Sequence, residues 1–377
     1  MGGQASAPLP QRPRAGIEMR GLLDLSLEEL AEILTSWGEP PYRARQIWSW
    51  VYRRGATTFE TMTDLPKALR ARLAETFALQ TLRPLAERVS QDGWTRKWLF
   101  ALPDGTEVEA VLMEYTDRRT ACVSTQAGCA MGCPFCATGQ MGLLRNLTAG
   151  EIVEQVLWVA RWLAAHGERL THVVFMGMGE PFANYASTAK ALRLLIHPDG
   201  LHLGQRRITV STVGIVPGIR RFAREGWQIN LAISLHVATD ELRNRLVPIN
   251  RVYPLRVLME AVRDYIERTH RRVTFEWVMI RGVNDTPEQA EALVGWIRGM
   301  LAHVNLIPLN PTPGFPGEAS PPERVEAFRR ILEKAGIPCT VRVRRGIDVA
   351  AGCGQLRAEV TGRRPRIAGA PLQEVPA

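Results

Sequence analysis

The sequence predicts an α/β fold, a parallel sheet with crossover helices, preceded by a small helical domain and a short stretch of β structure. Three observations carry this. Short runs suited to strands recur at 120–125, 171–176, 208–212, 229–236, 273–280, 303–309 and 339–344, with helical stretches between most of them. Helix starts recur too: Thr148-Ala149-Gly150-Glu151 reads as a capping box, and Asn284-Asp285-Thr286-Pro287 as a cap with an early proline. Glycines and small polar residues gather just after candidate strands, at the ends where parallel sheets and barrels bind ligands. The pattern fits doubly wound and barrel topologies alike.

At 377 residues and 46% hydrophobic content, the chain can hold one large domain and a small one. The net charge of +9 favours an anionic partner, although ordinary surface arginines would give the same count. Lysines are only Lys67, Lys97, Lys190 and Lys334, so the basic charge is nearly all arginine, which suits bidentate phosphate contacts and base stacking. No apolar run reaches the roughly 18 residues of a membrane span, and no secretory signal opens the chain. The start Met1-Gly2-Gly3-Gln4-Ala5-Ser6 fits a loose myristoylation pattern that recurs by chance. The cysteines cluster as for metal work, without a disulfide framework, so a reducing, cytoplasmic setting is expected, with no membrane partner.

Taken in order, residues 1–18 read as a disordered Pro/Gly/Arg leader and 19–85 as a helical domain. Ser26 and Glu29 form a capping box, and Leu27, Leu30, Ile33 and Leu34 follow at helical spacing. Tyr42 through Arg54 mixes arginine with aromatics on a second helix. Trp48 and Tyr52, or Ile47 and Val51, are expected to face the core, leaving some arginines for RNA. Residues 86–118 read as a β extension, with Lys97–Leu102 and Val108–Leu112 flanking the turn Pro103-Asp104-Gly105. Glu107 and Glu109 share one strand face. Such carboxylates are usually solvated, and each is also a competent base.

A core is expected over 119–355 and a tail over 356–377. Its most informative stretch is Gly128 through Gly139, with Cys129, Cys133 and Cys136 at C-x₃-C-x₂-C spacing on a glycine-flanked loop. A structural zinc site wants four ligands, and an iron–sulfur cube normally takes four thiolates. Three thiolates leave one iron open to a substrate, while a remote ligand could still complete a zinc site.

Other candidates fall at strand ends. Gly177-Met178-Gly179-Glu180-Pro181 allows close backbone approach to a ligand, though a lone Gly-x-Gly is usually a turn. Ser211, Ser234-Leu235-His236 and Asn310 offer hydrogen-bonding groups, each alone better explained as a strand-end cap. Cys353 sits between glycines in a loop, Cys122 in a strand and Cys339 at a strand head, the last expected in the core. Arg206, Arg207, Arg342, Arg344, Arg345, Arg363, Arg364 and Arg366 are phosphate contacts or solvated charge.

The three cysteines with Phe135 before the last resemble the radical S-adenosylmethionine (SAM) superfamily. The run from Cys122 to Cys129 and on to Arg145-Asn146-Leu147-Thr148 resembles its RNA adenine methyltransferase branch of the RlmN and Cfr type. Further matches are Gly177–Pro181, Leu246-Val247-Pro248-Ile249-Asn250 and Ala351-Gly352-Cys353-Gly354-Gln355, so the resemblance spans about Glu107 to Gln355.

The resemblance implies a partial (β/α)₆ barrel with an RNA-recognising accessory domain in front. It implies one [4Fe-4S] cluster on Cys129, Cys133 and Cys136, and two SAM per turnover, one bound through Gly179, Glu180, Ser211, Ser234, Leu235, His236 and Asn310. Cys353 would be methylated to S-methylcysteine and lose a hydrogen atom to a 5′-deoxyadenosyl radical. The carbon radical would add to C2 of adenine, Glu109 would accept the proton, and Cys122 would form a transient disulfide with Cys353. Expected substrates are 23S rRNA near the peptidyl transferase centre and the tRNA adenosine after the anticodon. A flavodoxin or ferredoxin is the expected electron donor, and the enzyme is expected to act as a monomer. The competing readings are a Cfr-type C8 methyltransferase, a zinc-stabilised RNA-binding protein without catalysis, and a glycyl-radical activase, which leaves the Cys122/Cys353 pair unexplained.

Overall fold

The computed structural model describes residues 19–342 apart from residue 313. The expected leader, the Cys353 loop, the tail, and Arg344, Arg345, Arg363, Arg364 and Arg366 lie outside the described residues.

The N-terminal part runs from β1 (Arg20–Gly21) through α1 (Leu27–Ser36), α2 (Tyr42–Tyr52) and α3 (Lys67–Thr76) to β2 (Phe77–Ala78), which pairs in parallel with β1. The Ser26 hydroxyl accepts the Glu29 amide at 3.1 Å while the Glu29 carboxylate accepts the Ser26 amide at 2.7 Å, so two helix-end donors are satisfied reciprocally. Helix α2 buries Ala44, Ile47, Trp48, Val51 and Tyr52, so both anticipated stripes form one core face.

Three antiparallel strands follow: β3 (Arg83–Val89), β4 (Thr95–Ala101) and β5 (Glu107–Glu114). This moves one boundary. The one drawn at 85/86 falls inside β3, and the expected β extension continues the main sheet. Strand β3 escaped notice because Arg83-Pro84-Leu85-Ala86-Glu87-Arg88-Val89 is mostly exposed and lacks an apolar alternation.

The rest alternates. It comprises β6 (Arg119–Cys122), β7 (Gln126–Gly128), α4 (Ala137–Gln140), β8 (Leu143–Asn146), α5 (Ala149–Ala165), β9 (His172–Phe175), α6 (Tyr185–Ile196), β10 (Ile208–Thr212) and α7 (Val216–Ala223). Next come β11 (Asn230–Ser234), α8 (Asp240–Leu246), α9 (Leu255–Thr269), β12 (Val273–Met279), α10 (Pro287–Ile297), β13 (Ala302–Pro308), α11 (Pro322–Lys334) and β14 (Cys339–Val341). The expected strand 120–125 stops at Cys122, where the chain leaves the sheet to form the β7–β8 hairpin.

One ten-stranded sheet has the order β14-β13-β12-β11-β10-β9-β6-β5-β4-β3. Strands β6 and β9 to β14 are parallel, each step crossed by a helix. The sheet curls. Arg342, just past β14, donates to the Met113 sulfur of β5 at 3.4 Å, although these strands stand far apart in the sheet order. The result is a partial barrel around a cavity of about 870 Å³. Asp24 fastens the helical domain to it by accepting the Gly150 amide at 2.7 Å in the first turn of α5, and Glu154 accepts the Thr81 and Leu82 amides.

Candidate active site

The cysteine loop hangs between the strands of the β7–β8 hairpin. Gly128 has φ +78°, and a Cβ there would overlap the Gly142 carbonyl, so a larger residue would open the hairpin. The Cys129 amide donates to that same carbonyl at 2.9 Å, and the Cys136 amide to the Cys133 carbonyl at 3.1 Å. Gln140 closes the far side by donating to the Pro134 carbonyl at 2.6 Å. Cys129 and Cys133 are buried and Cys136 half-buried, and all three line one end of the cavity.

Burial pushes the Cys129 thiol up to about 12, and the neighbouring Cys136 adds to the rise. Burial likewise holds Cys133 well above the usual range, reinforced by Cys136 and Cys129. These thiols therefore stay neutral until a bound cation makes ionisation favourable. Among the described residues no three metal-ligating side chains are gathered as tightly as around a single ion.

The turn after β9 packs against the same chain. The Gly177 amide donates to the Val123 carbonyl at 3.0 Å, and a Cβ on Gly177 would strike that backbone. Gly179 has φ +97° and lies against Gln126. Glu180 is 2% exposed and accepts the Phe182 and Val213 amides, each at 2.9 Å. Burial raises its pKa to about 7, against those hydrogen bonds.

Ser211 and Ser234 share a hydrogen bond of 3.2 Å across β10 and β11. His236 has φ +61°, stands edge-on to Phe135 at 5.2 Å, and accepts the Val278 amide on Nδ1 at 3.2 Å, which assigns the proton to Nε2. Burial first, then Arg243, depresses its pKa to about 3. Gly179, Glu180, Ser211, Ser234, His236, Asn310 and Cys122 all line the cavity with the cysteines.

Two expected residues are placed differently. Leu235 does not line the cavity: its side chain sits in the core, its amide donates to Glu276 and its carbonyl accepts from Arg243. The expected ligand contact there would therefore run through its backbone, whose carbonyl keeps a second lone pair beside the Arg243 bond. Glu109 is 2% exposed and bonded to Lys97 at 3.0 Å, while Val111 and Met113, further along the same face, reach the cavity. Cys353 lies outside the described residues. Cys122 is buried and lines the cavity, and Cys339 is half-buried at the head of β14 rather than fully in the core.

Sequence reading missed two features. Arg243 is fully buried and donates to the carbonyls of Val213, Ser234 and Leu235 and to Asn250, tying together the ends of β10 and β11. Ser234, Glu276, Asn305 and Thr340 stand in register across β11 to β14 as a polar row inside the cavity. Asn305 donates to Glu276 at 2.7 Å and accepts from Thr340 at 3.2 Å. The available signal was a lone carboxylate amid the apolar residues of Val273–Met279.

Comparison with known proteins adds to this geometry. A family model described as the Radical SAM superfamily matches residues 123–296, and one described as the Ribosomal RNA large subunit methyltransferase N-terminal domain matches residues 20–79. A probable dual-specificity RNA methyltransferase RlmN of Chloroflexus aurantiacus is 53% identical, the match covering 96% of this chain and 98% of that protein. Dual-specificity RNA methyltransferase RlmN 1 of Myxococcus xanthus is also 53% identical, over 92% of this chain and 96% of its own length. The crystal structure of a radical SAM methyltransferase from Sphaerobacter thermophilus superposes with a TM-score of 0.87 at 54% identity, covering 89% of this chain and 98% of that one.

Proposed function

The chain belongs to the RlmN family of radical SAM RNA methyltransferases, and on that premise we propose that it methylates C2 of adenosine in 23S rRNA, near the peptidyl transferase centre, and in tRNA, at the adenosine after the anticodon. The observation that carries this reading is the convergence of Cys129, Cys133 and Cys136 with Glu180, Ser211, Ser234, His236 and Asn310 on one cavity. The family implies a [4Fe-4S] cluster and SAM. The residues present fit both: three soft thiol donors for the cluster, with one iron left for SAM, and glycine backbone and hydroxyl groups facing it. When bound, cluster and SAM supply the methyl group and a one-electron cleavage, which adenine C2 needs because it has no lone pair to attack a methyl donor.

The protein's own groups have these roles. Cys129, Cys133 and Cys136 hold the cluster. Gly179, Glu180, Ser211, Ser234, His236 and Asn310 hold SAM, with Arg243 keeping the last strand turns in place. Cys353 carries the methyl group on sulfur, which makes two SAM per turnover. Glu109 accepts the proton released from C2. The Cys122 thiol attacks Cys353 and frees the methylated base as a disulfide forms. A flavodoxin or ferredoxin supplies electrons, and the enzyme works as a monomer in the cytoplasm. No described helix is long and apolar enough to cross a membrane.

The relatives carry the RlmN name, which does not favour the Cfr-type C8 alternative. Family membership sets aside the non-catalytic zinc protein. The test is anaerobic reconstitution with iron and sulfide, followed by SAM, a reductant and unmodified large-subunit rRNA or tRNA. Mass spectrometry of the digested nucleosides should show 2-methyladenosine, absent with Cys353→Ala. Formation of 8-methyladenosine alone would overturn the C2 assignment.

A further inference from the structure

The cavity is lined from both ends of its strands. The cysteine loop, Glu180, Ser234 and Asn310 occupy the C-terminal end. At the opposite end Arg118 directly precedes β6, His172 opens β9, Arg207 directly precedes β10 and His303 is near the start of β13, and all four line the same cavity. Arg118 and Arg207 are exposed, and neither makes a salt bridge to a carboxylate among the described residues. Their neighbour Arg119 differs, being paired with both Glu114 and Glu168.

Arg118 lies 4.2 Å over the Tyr115 ring, which fixes the stem and leaves the guanidinium edge for a ligand. Both arginines lie within electrostatic reach of His172, where they oppose its protonation in concert with burial, and Asp117 is the one carboxylate acting the other way. A cavity lip with two unneutralised guanidiniums attracts an oxyanion, and their planar forks suit phosphate best. The Glu276–Asn305 pair stands between this lip and the cysteines, so the cavity offers base-sized polar contacts behind an anion-binding rim.

We propose that Arg118 and Arg207 form a phosphate clamp at the N-terminal rim of the barrel. It grips the RNA backbone beside the target nucleotide, whose base enters the cavity from the end opposite the cysteine loop. This rests on the reading of the protein as an RNA methyltransferase. The carboxylate of SAM carries related oxyanion chemistry, and the test separates the two sources.

The experiment uses the reconstituted full-length enzyme with Arg118→Gln, Arg207→Gln, the double variant, and Arg118→Lys/Arg207→Lys. Affinity for a fluorescent RNA hairpin with an unpaired loop adenosine is measured by anisotropy from low to high salt, and SAM affinity by equilibrium dialysis. Each Gln substitution should weaken RNA binding about tenfold and reduce the slope of log K against log salt by about one. The Lys pair should recover the slope, because charge rather than shape sets it, and SAM affinity should hold. Unchanged RNA affinity and slope in the double variant overturn the clamp. A fall in SAM affinity with RNA binding intact assigns the rim to SAM and also overturns it. Wild-type methylation of the same hairpin is scored in parallel, so an enzyme that methylates RNA while its variants bind normally fails the clamp alone.

Discussion

Lys97 and Glu109 form a buried ion pair: the ammonium donates to the carboxylate at 3.0 Å, with 0% and 2% side-chain exposure. They stand on neighbouring strands, β4 and β5, on the face that reaches the cavity two residues later at Val111. Removing one member takes away the other's partner at 3.0 Å, and breaking such a buried pair costs about 3–5 kcal/mol. Lys97→Met should therefore lower stability by that order in urea denaturation. The double variant Lys97→Met/Glu109→Gln should recover part of the loss, because neither charge of the pair then remains. A Lys97→Met protein as stable as wild type would show that the pair contributes nothing net.

Arg243 supports the site from behind. Its guanidinium donates to Val213 at 2.7 Å, Asn250 at 2.9 Å and Leu235 at 3.2 Å. Burial lowers its pKa to about 10, so it remains a cation at neutral pH, and it acts favourably on a Cys133 thiolate. Arg243→Met should strand three carbonyls and cost about 3–5 kcal/mol. SAM affinity should fall about tenfold, equivalent to 1.4 kcal/mol, as the ends of β10 and β11 loosen. Exposed Arg245, on the same helix α8, is the control, and its Met variant should stay within about 0.5 kcal/mol. Equal effects at both positions would remove the positioning role.

These two features show where sequence reading stopped. The β/α alternation was legible because strands buried on both faces read as short apolar runs, and the capping boxes at Ser26 and Thr148 are local signals. The cysteine loop and strand-end polar residues were legible by spacing. Arg243 was not: in Asp240-Glu241-Leu242-Arg243-Asn244-Arg245-Leu246 it looks like surface charge, and only the crossing of α8 behind β10 and β11 buries it. Glu109 and Lys97 were ambiguous for the same reason, since strand period assigns a face and cannot tell a solvated face from a filled barrel. The β7–β8 hairpin was hidden by its short strands and by Gly128, a residue that ordinarily argues against a strand.

Gly128 itself yields a prediction about the cluster site. Its positive φ and the close Gly142 carbonyl leave no room for a methyl group. Gly128→Ala should therefore splay the hairpin that aims Cys129, while the barrel strands, paired independently, keep their fold. Reconstituted protein should hold less than half the wild-type iron and sulfide per chain, with far-UV circular dichroism unchanged. Gly132, with φ +66° and open space around it, should tolerate Asn, which also adopts that conformation. Full iron loading in Gly128→Ala would refute the argument.

Glu180 and His236 give the unloaded protein opposing pH dependences. Burial raises Glu180 from an ordinary 4.5 to about 7, so between those values the native state binds more protons than the unfolded chain. Stability from this group is full below about pH 4.5 and declines as pH rises to about 7. Burial lowers His236 from 6.5 to about 3, so there the unfolded chain binds more protons. Its contribution is full above pH 6.5 and is lost as pH falls toward 3. The windows overlap from pH 4.5 to 6.5, where the two slopes have opposite sign and like size. The wild type should thus show a shallow profile there in urea denaturation. Glu180→Gln removes the falling component, so stability should rise with pH by about 2–3 kcal/mol across the overlap. Its overall stability should drop, because the amide NH₂ cannot accept a backbone N–H as the second carboxylate oxygen does. His236→Asn tolerates the positive φ and removes the rising component, so its stability should fall over the same interval. Parallel profiles in all three proteins would mean that neither group titrates in the native state as its burial requires.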